Sequence, residues 1–300
     1  MLEQLKDKMY DFFIKNSDRS YQDDLHSVFK GIGHYVKDKE PGDILKEYMY
    51  RSLHKNQLIY IRKLAERFGD KIIFVKGIVA SWELYGDIDQ RRSSDIDIIV
   101  KAPDIREIGK YLLEEGFCCG VRQEEWDNDI KKGHLSFAKP LLGKMELVVE
   151  IHEDAINPPG FFEGITEHFW EHAQVREIMD MQLQLLDPYD TVIYYMLHYY
   201  KHSDNFEYYA LQDVRTALLL QGILDVYCMV KKFNLSFTEL QTRMEQMCVL
   251  PECVEVLRLV AKIFPEFRSS GVMDNLQSIA AGLGKRSNLF WRNRIKNRRI

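Results

Sequence analysis

A run of about 18 apolar residues, the length that a membrane-crossing helix needs, occurs nowhere in this 300-residue chain. The first residues, "MLEQLKDKMYDFFIKN", thread charges through their apolar positions and lack the unbroken apolar core of a signal peptide. Cysteine is sparse. Cys118, Cys119, Cys228, Cys248 and Cys253 are odd in number and lack paired CxxC spacing, which argues against a disulfide framework and a zinc knuckle. An excess of one charge is missing too: 41 Lys and Arg against 46 Asp and Glu leave −5, so nothing draws nucleic acid to the chain as a whole. The end, "KRSNLFWRNRIKNRRI", is a local basic exception, read first as a solvated tail. There is no internal repeat and no low-complexity segment. What remains is a globular chain with enough apolar residues, 46%, for a sizeable core, expected in a reducing cytoplasm.

Hydrophobic spacing divides the chain into three parts. Residues 1–70 read as a helical lead-in, with Tyr60, Ile61, Leu64 and Phe68 at helical intervals and Gly69 as a stop. Residues 71–155 read as an α/β domain. Its expected strands are "KIIFV", "DIDIIV", "FCCGV", "HLSFA" and "MELVVEIHE", with a short helix after Lys76-Gly77 and a longer one after Asp104. "NPPG" at 157–160 breaks the chain, and residues 185–300 read as a helical domain.

Aspartate is depleted in strands, yet Asp95 and Asp97 both sit at the head of "DIDIIV". A strand alternates its side chains, so the two project from one face. Two such charges about 4 Å apart repel by roughly 4 kcal/mol at an effective dielectric near 20. The pair therefore needs a cation, or one member must hold a proton. Mg²⁺ suits it, because that ion takes a few carboxylates and completes its shell with water and substrate phosphates. In "MELVVEIHE" the same alternation puts Glu146, Val148, Glu150 and His152 on one face, so Glu150 can bring a third acid. Three acids around one or two divalent ions describe phosphoryl or nucleotidyl transfer. Lys76 and Gly77 form a strand-to-helix turn suited to phosphate, and Arg91, Arg92, Ser93 and Ser94 add cations and hydroxyls before the acids. Taken alone, a D-x-D at a strand start is more often a turn with exposed acids.

"KGIVASWELYGDIDQRRSSDIDIIV" resembles the core of the DNA polymerase β-type nucleotidyltransferase superfamily. More narrowly, K-G, L-Y-G-D, R-x-S-D-I-D, "EIH", an L-x-P-x-D segment and an H-x-x-x-H helix are similar to an uncharacterised branch of bacterial nucleotidyltransferase-like proteins. The resemblance runs from about residue 73 to 220. It implies an α+β nucleotidyltransferase palm, a mixed sheet with helices mainly on one face, followed by a helical domain. It also implies Asp95 and Asp97 as metal ligands, Glu150 as the third acid, and Gly77 as the turn glycine. The expected partners are Mg²⁺ or Mn²⁺, a nucleoside triphosphate, and a small-molecule, peptide or protein acceptor. Lys76, Gly77, Arg92, Ser93 and Ser94 are the expected nucleotide contacts. Many members carry serine after the turn glycine. Here Ile78 follows, which keeps open a nucleotide-binding protein without turnover; a kinase using the same site is a further alternative.

Other polar residues carry weaker signals. His198 and His202 share a helical face with Asp213 nearby in sequence, and polar helix–helix contacts or substrate recognition explain them better than a metal. His152 is placed to position Glu150 or to touch substrate, or else to cap its strand.

Overall fold

The computed structural model describes residues 2–16, 29–33, 39–141, 143, 145–156, 162–202 and 215–270, the side chains of 201, 202, 215–219 and 268–270 excepted. The "NPPG" break, the basic end, Asp213 and the side chain of His202 lie outside the described residues. The chain forms two compact units, one of Met1–His34 with Pro188–Ile300, the other of Tyr35–Asp187. In the first, α1 (Leu2–Asn16) belongs with a C-terminal set of helices.

The second unit begins with α2 (Pro41–Phe68), a helix with proline in its first turn and the Asp43 carboxylate accepting from the Glu40 N–H at 3.2 Å. Then come β1 (Ile72–Val75), α3 (Gly77–Tyr85), β2 (Asp95–Val100), α4 (Ala102–Glu114) and β3 (Cys118–Cys119). Short helical turns at Gln123–Glu125, Trp126–Asp129 and Ile130–Lys132 come next, and β4 (Leu135–Pro140), β5 (Glu146–His152), α5 (Ile165–His172), β6 (Gln174–Ile178) and β7 (Met181–Leu185) follow. Among the described residues the strands form one mixed sheet, in the order β3-β4-β5-β2-β1-β7-β6. β2 runs parallel to β5 and antiparallel to β1, which places β2 near the middle.

One face of that sheet is apolar. Phe74, Ile96, Ile98, Val100, Leu147, Val149 and Ile151 pack with Tyr60, Ile61, Leu64 and Phe68 of α2 and with Ile105, Ile108 and Leu112 of α4. Burying side chains of this size stabilises by about 1.5–3 kcal/mol each before entropy is counted. The fold is thus the expected α+β arrangement of a mixed sheet with a helical core face.

The α/β unit extends beyond the expected 71–155 at both ends, and the 1–70 lead-in divides between the two units. The reasons are physical. The buried stripe of α2 completes the sheet's core, and Leu185 of β7 pairs with Phe74 of β1. The β6–β7 hairpin therefore belongs to the sheet.

The remaining helices are α6 (Pro188–His202), α7 (Arg215–Lys232), α8 (Phe237–Gln246) and α9 (Leu250–Ile263). Val192, Met196, Leu224, Leu257 and Val260 are buried there, and Arg243 meets the fully buried Asp190 at 2.9 Å. His198 stacks on Tyr194, one turn earlier in the same helix, with ring centroids 6.1 Å apart. Among the described residues no helix is long and apolar enough to cross a membrane.

Candidate active site

The pairing of β2 with β5 determines which polar groups meet. Asp97 lies opposite Glu150, Ile99 opposite His152, and Asp95 opposite Val148. Paired residues of neighbouring strands point the same way, so Asp95, Asp97, Glu150 and His152 share the face away from the apolar core. On the other side of β2, Val75 is the partner of Asp97. The chain leaves the sheet there through Lys76 and Gly77, both left-handed, with φ of 56° and 55°.

Gly77 answers two demands at once. It takes a φ that side chains disfavour, and an added Cβ would stand 3.2 Å from Ser93 Oγ and 3.3 Å from the Asp95 carbonyl oxygen. Lys76 has no such freedom, and its backbone costs on the order of 1–3 kcal/mol. In this conformation its Nζ reaches Asp97 Oδ1 at 2.6 Å.

Asp97 is only 3% exposed, and its Oδ1 also meets His152 Nε2 at 3.0 Å. The same nitrogen lies 3.6 Å from Glu150 Oε2, while Glu150 Oε1 lies 3.4 Å from His134 Nε2. One ligand atom each from Asp97, Glu150 and His152 falls within 4.8 Å of the other two. Asp95 stands apart. Its carboxylate makes no hydrogen bond among the described residues. Its backbone carbonyl accepts from Ser93 Oγ at 2.9 Å and from Gln57 Nε2 at 3.2 Å.

These surroundings push the ionisable groups apart. Burial favours a protonated Asp97, but the Lys76 ammonium and His152 outweigh it and hold the carboxyl well below its usual range. At Asp95, burial and then the Asp97 charge prevail over Lys76 and lift the pKa to about 6. Burial opposes charge on Glu150 too, yet the His152 contact takes its pKa below the ordinary value. Burial would lower His152, but its bonds to Asp97 and Glu150 raise it overall. At His134 burial wins, and the pKa falls. An ammonium and an imidazole thus balance two acids, and the third acid holds a proton into the mildly acidic range.

The other expected contacts scatter. Arg92 lies over the Tyr50 ring, 5.2 Å from its centroid, and the arginine whose charge reaches Asp95 is Arg91. Ser93 is buried and tied to Asp95; Ser94 is exposed. Ser81 donates to the Asp87 carbonyl at 2.7 Å and accepts from the Arg91 N–H at 3.0 Å, so it fastens the loop before β2. His54, Gln57 and Asp89 are supports that sequence reasoning passed over. Buried His54 bonds Asp89 Oδ1 at 2.8 Å through Nδ1 and accepts from the Ser93 N–H at 3.2 Å. A signal was present: His54 and Gln57 are polar residues on the buried stripe of α2.

No curated protein matches the chain. Among solved structures it is similar to an antigenic nucleotidyltransferase-like protein from Paracoccidioides brasiliensis, at 17% identity, covering 74% of this chain and 92% of that one, with a TM-score of 0.43. The profile of a family described as "uncharacterised nucleotidyltransferase" matches residues 45–265, which spans the whole sheet with its acids and runs on through α9. The chain belongs to that nucleotidyltransferase family.

Proposed function

We propose that the protein transfers a nucleoside monophosphate from a nucleoside triphosphate to an acceptor hydroxyl or phosphate, releasing pyrophosphate. The observation that carries this reading is the β2–β5 register, which sets Glu150 beside Asp97 with Asp95 on the same face. Asp95, Asp97 and Glu150 would hold Mg²⁺ or Mn²⁺. They offer oxygen donors, and the Asp95 carboxylate has no hydrogen-bond partner among the described residues. A bound ion would neutralise phosphate charge and acidify the acceptor.

The chain's own groups supply the rest. Glu150, whose pKa is held below its ordinary value, is ionised at neutral pH and takes the acceptor's proton. The acceptor oxygen forms its bond to the α-phosphorus as the bond to the bridging oxygen breaks, and pyrophosphate leaves with that electron pair. Lys76 and Arg92 offset the charge that builds on the phosphates. The turn at Gly77 opens α3, whose first N–H groups suit a phosphate, with the Ser93 and Ser94 hydroxyls close in sequence to the acids. The acceptor is a small molecule, a peptide or a protein.

The test pairs binding with turnover. A nucleoside triphosphate with Mg²⁺ or Mn²⁺ should raise the melting temperature beyond nucleotide plus chelator. Binding at a hundredfold excess over Kd contributes about 2.7 kcal/mol. With an acceptor pool, label from the α-phosphate should move to product with pyrophosphate release, and Glu150→Gln should abolish both. Release of nucleoside diphosphate would make the protein a kinase. Metal-dependent stabilisation without any release would make it a nucleotide-binding protein, and no stabilisation by any of the four common nucleotides would refute the site.

A further inference from the structure

We propose that His152 is a nitrogen ligand in this site, so that a cation bound with Asp97 and Glu150 meets a mixed oxygen and nitrogen set. Such a set favours a first-row transition ion, from Mn²⁺ to Zn²⁺, over Mg²⁺. The inference rests on the site being a cation site, as read above, and concerns which ion it selects.

Geometry comes first. Donor atoms that share one ion at about 2.0–2.2 Å stand roughly 3.0–3.6 Å from one another, the edge of an octahedron or tetrahedron. His152 Nε2 lies 3.0 Å from Asp97 Oδ1 and 3.6 Å from Glu150 Oε2. In the metal-free chain this nitrogen bonds Asp97 Oδ1, which also meets Lys76 Nζ at 2.6 Å, so an ion entering here takes the place of the His152 proton and of the Lys76 contact, with Nε2 at one vertex. Its position is fixed from two directions. His152 follows Glu150 by two residues on β5, hence on its face, and it is 6% exposed. The Asp95 carboxylate is half-buried on the same face, feels the charges of Asp97 and Glu150, and has no hydrogen-bond partner among the described residues.

Ligand chemistry then separates the ions. Mg²⁺ keeps oxygen ligands and several waters, whereas imidazole binds borderline ions, whose affinity rises along the series from Mn²⁺ towards Cu²⁺. His134 has a different place. Its Nε2 pairs with Glu150 at 3.4 Å, and its side chain is 40% exposed, so it positions Glu150 from the rim.

The test uses the full chain stripped with chelator and titrated with Mn²⁺. Electron paramagnetic resonance counts bound ion, and electron spin-echo modulation reports nitrogen on it. Histidine labelled with ¹⁵N assigns the modulation to imidazole. Bound Mn²⁺ should carry this imidazole signature and resist a hundredfold excess of Mg²⁺. His152→Gln should remove the signature and weaken Mn²⁺ at least tenfold, while His134→Gln should keep it. The wild-type spectrum is itself decisive, so the test survives a His152→Gln protein that fails to fold. Bound Mn²⁺ with oxygen ligands alone, or a signature that disappears with His134 instead, overturns the nitrogen ligand and leaves the nucleotidyl-transfer reading standing. Absence of any Mn²⁺ binding overturns both.

Discussion

Two buried histidines of the Tyr35–Asp187 unit sit beside carboxylates and respond in opposite ways. His54 Nε2 accepts the Ser93 N–H, so that nitrogen carries no proton and the ring is neutral. Burial, only partly opposed by Asp89, lowers its pKa. His152 turns one nitrogen towards two acids, and their combined pull overcomes burial. The partners explain the contrast. Asp89 is 28% exposed and shares its charge with water, whereas Asp97 at 3% has little but His152 and Lys76 to answer it. The first centre braces a loop, and the second concentrates charge where chemistry is proposed.

The largest expected effect tests that contrast directly. Asp97→Asn keeps the shape of the side chain but removes the charge facing the Lys76 ammonium, whose side chain is 11% exposed. Breaking a buried pair in this way costs about 3–5 kcal/mol. Asp89→Asn faces a neutral ring and should cost about 1 kcal/mol. Urea unfolding of both variants in chelator measures the difference, and equal losses would erase the distinction between the centres.

A smaller effect of opposite sign is expected two residues away. The pKa of Asp95 is raised to about 6 from an unfolded value near 3.9. A raised pKa means that its contribution is complete below about pH 4 and is lost as pH climbs through about 6. Asp95→Asn should therefore match the wild type at pH 3.5 and exceed it by about 3 kcal/mol at pH 7.5 without metal. A variant no more stable at pH 7.5 would show that Asp95 is not held against its charge.

The smallest effect is spectroscopic. In chelator, ¹⁵N-edited spectra should show the His54 ring titrating below its ordinary value of 6.5 and the His152 ring above it. Titration in the same range would mean that burial, and not the acids, governs both.

The site was legible in sequence where alternation could be counted. "DIDIIV" and "ELVVEIH" place an apolar residue at every second position, which marks a core face and, opposite it, the acids. The register that sets Asp97 against Glu150 is a property of the paired strands and lies in neither segment. β6 and β7 escaped because their turn, Met179 and Asp180, takes left-handed φ of 53° and 57° without the glycine or asparagine that usually signals a hairpin. Lys76 reads as a phosphate-binding group from its place before glycine. Its contact with Asp97 depends on a backbone conformation that no composition rule assigns to lysine.

Lys76 has a consequence for the life of the chain before it meets any ligand. A lysine held by its own backbone at Asp97 acts as a tethered counter-ion, so the central strands can pair in a cell short of divalent metal. Folding is thereby separated from metal supply. On the proposed reading, any arriving cation must also displace or accommodate an ammonium that never diffuses away, which would filter out weakly held ions before a nucleotide enters.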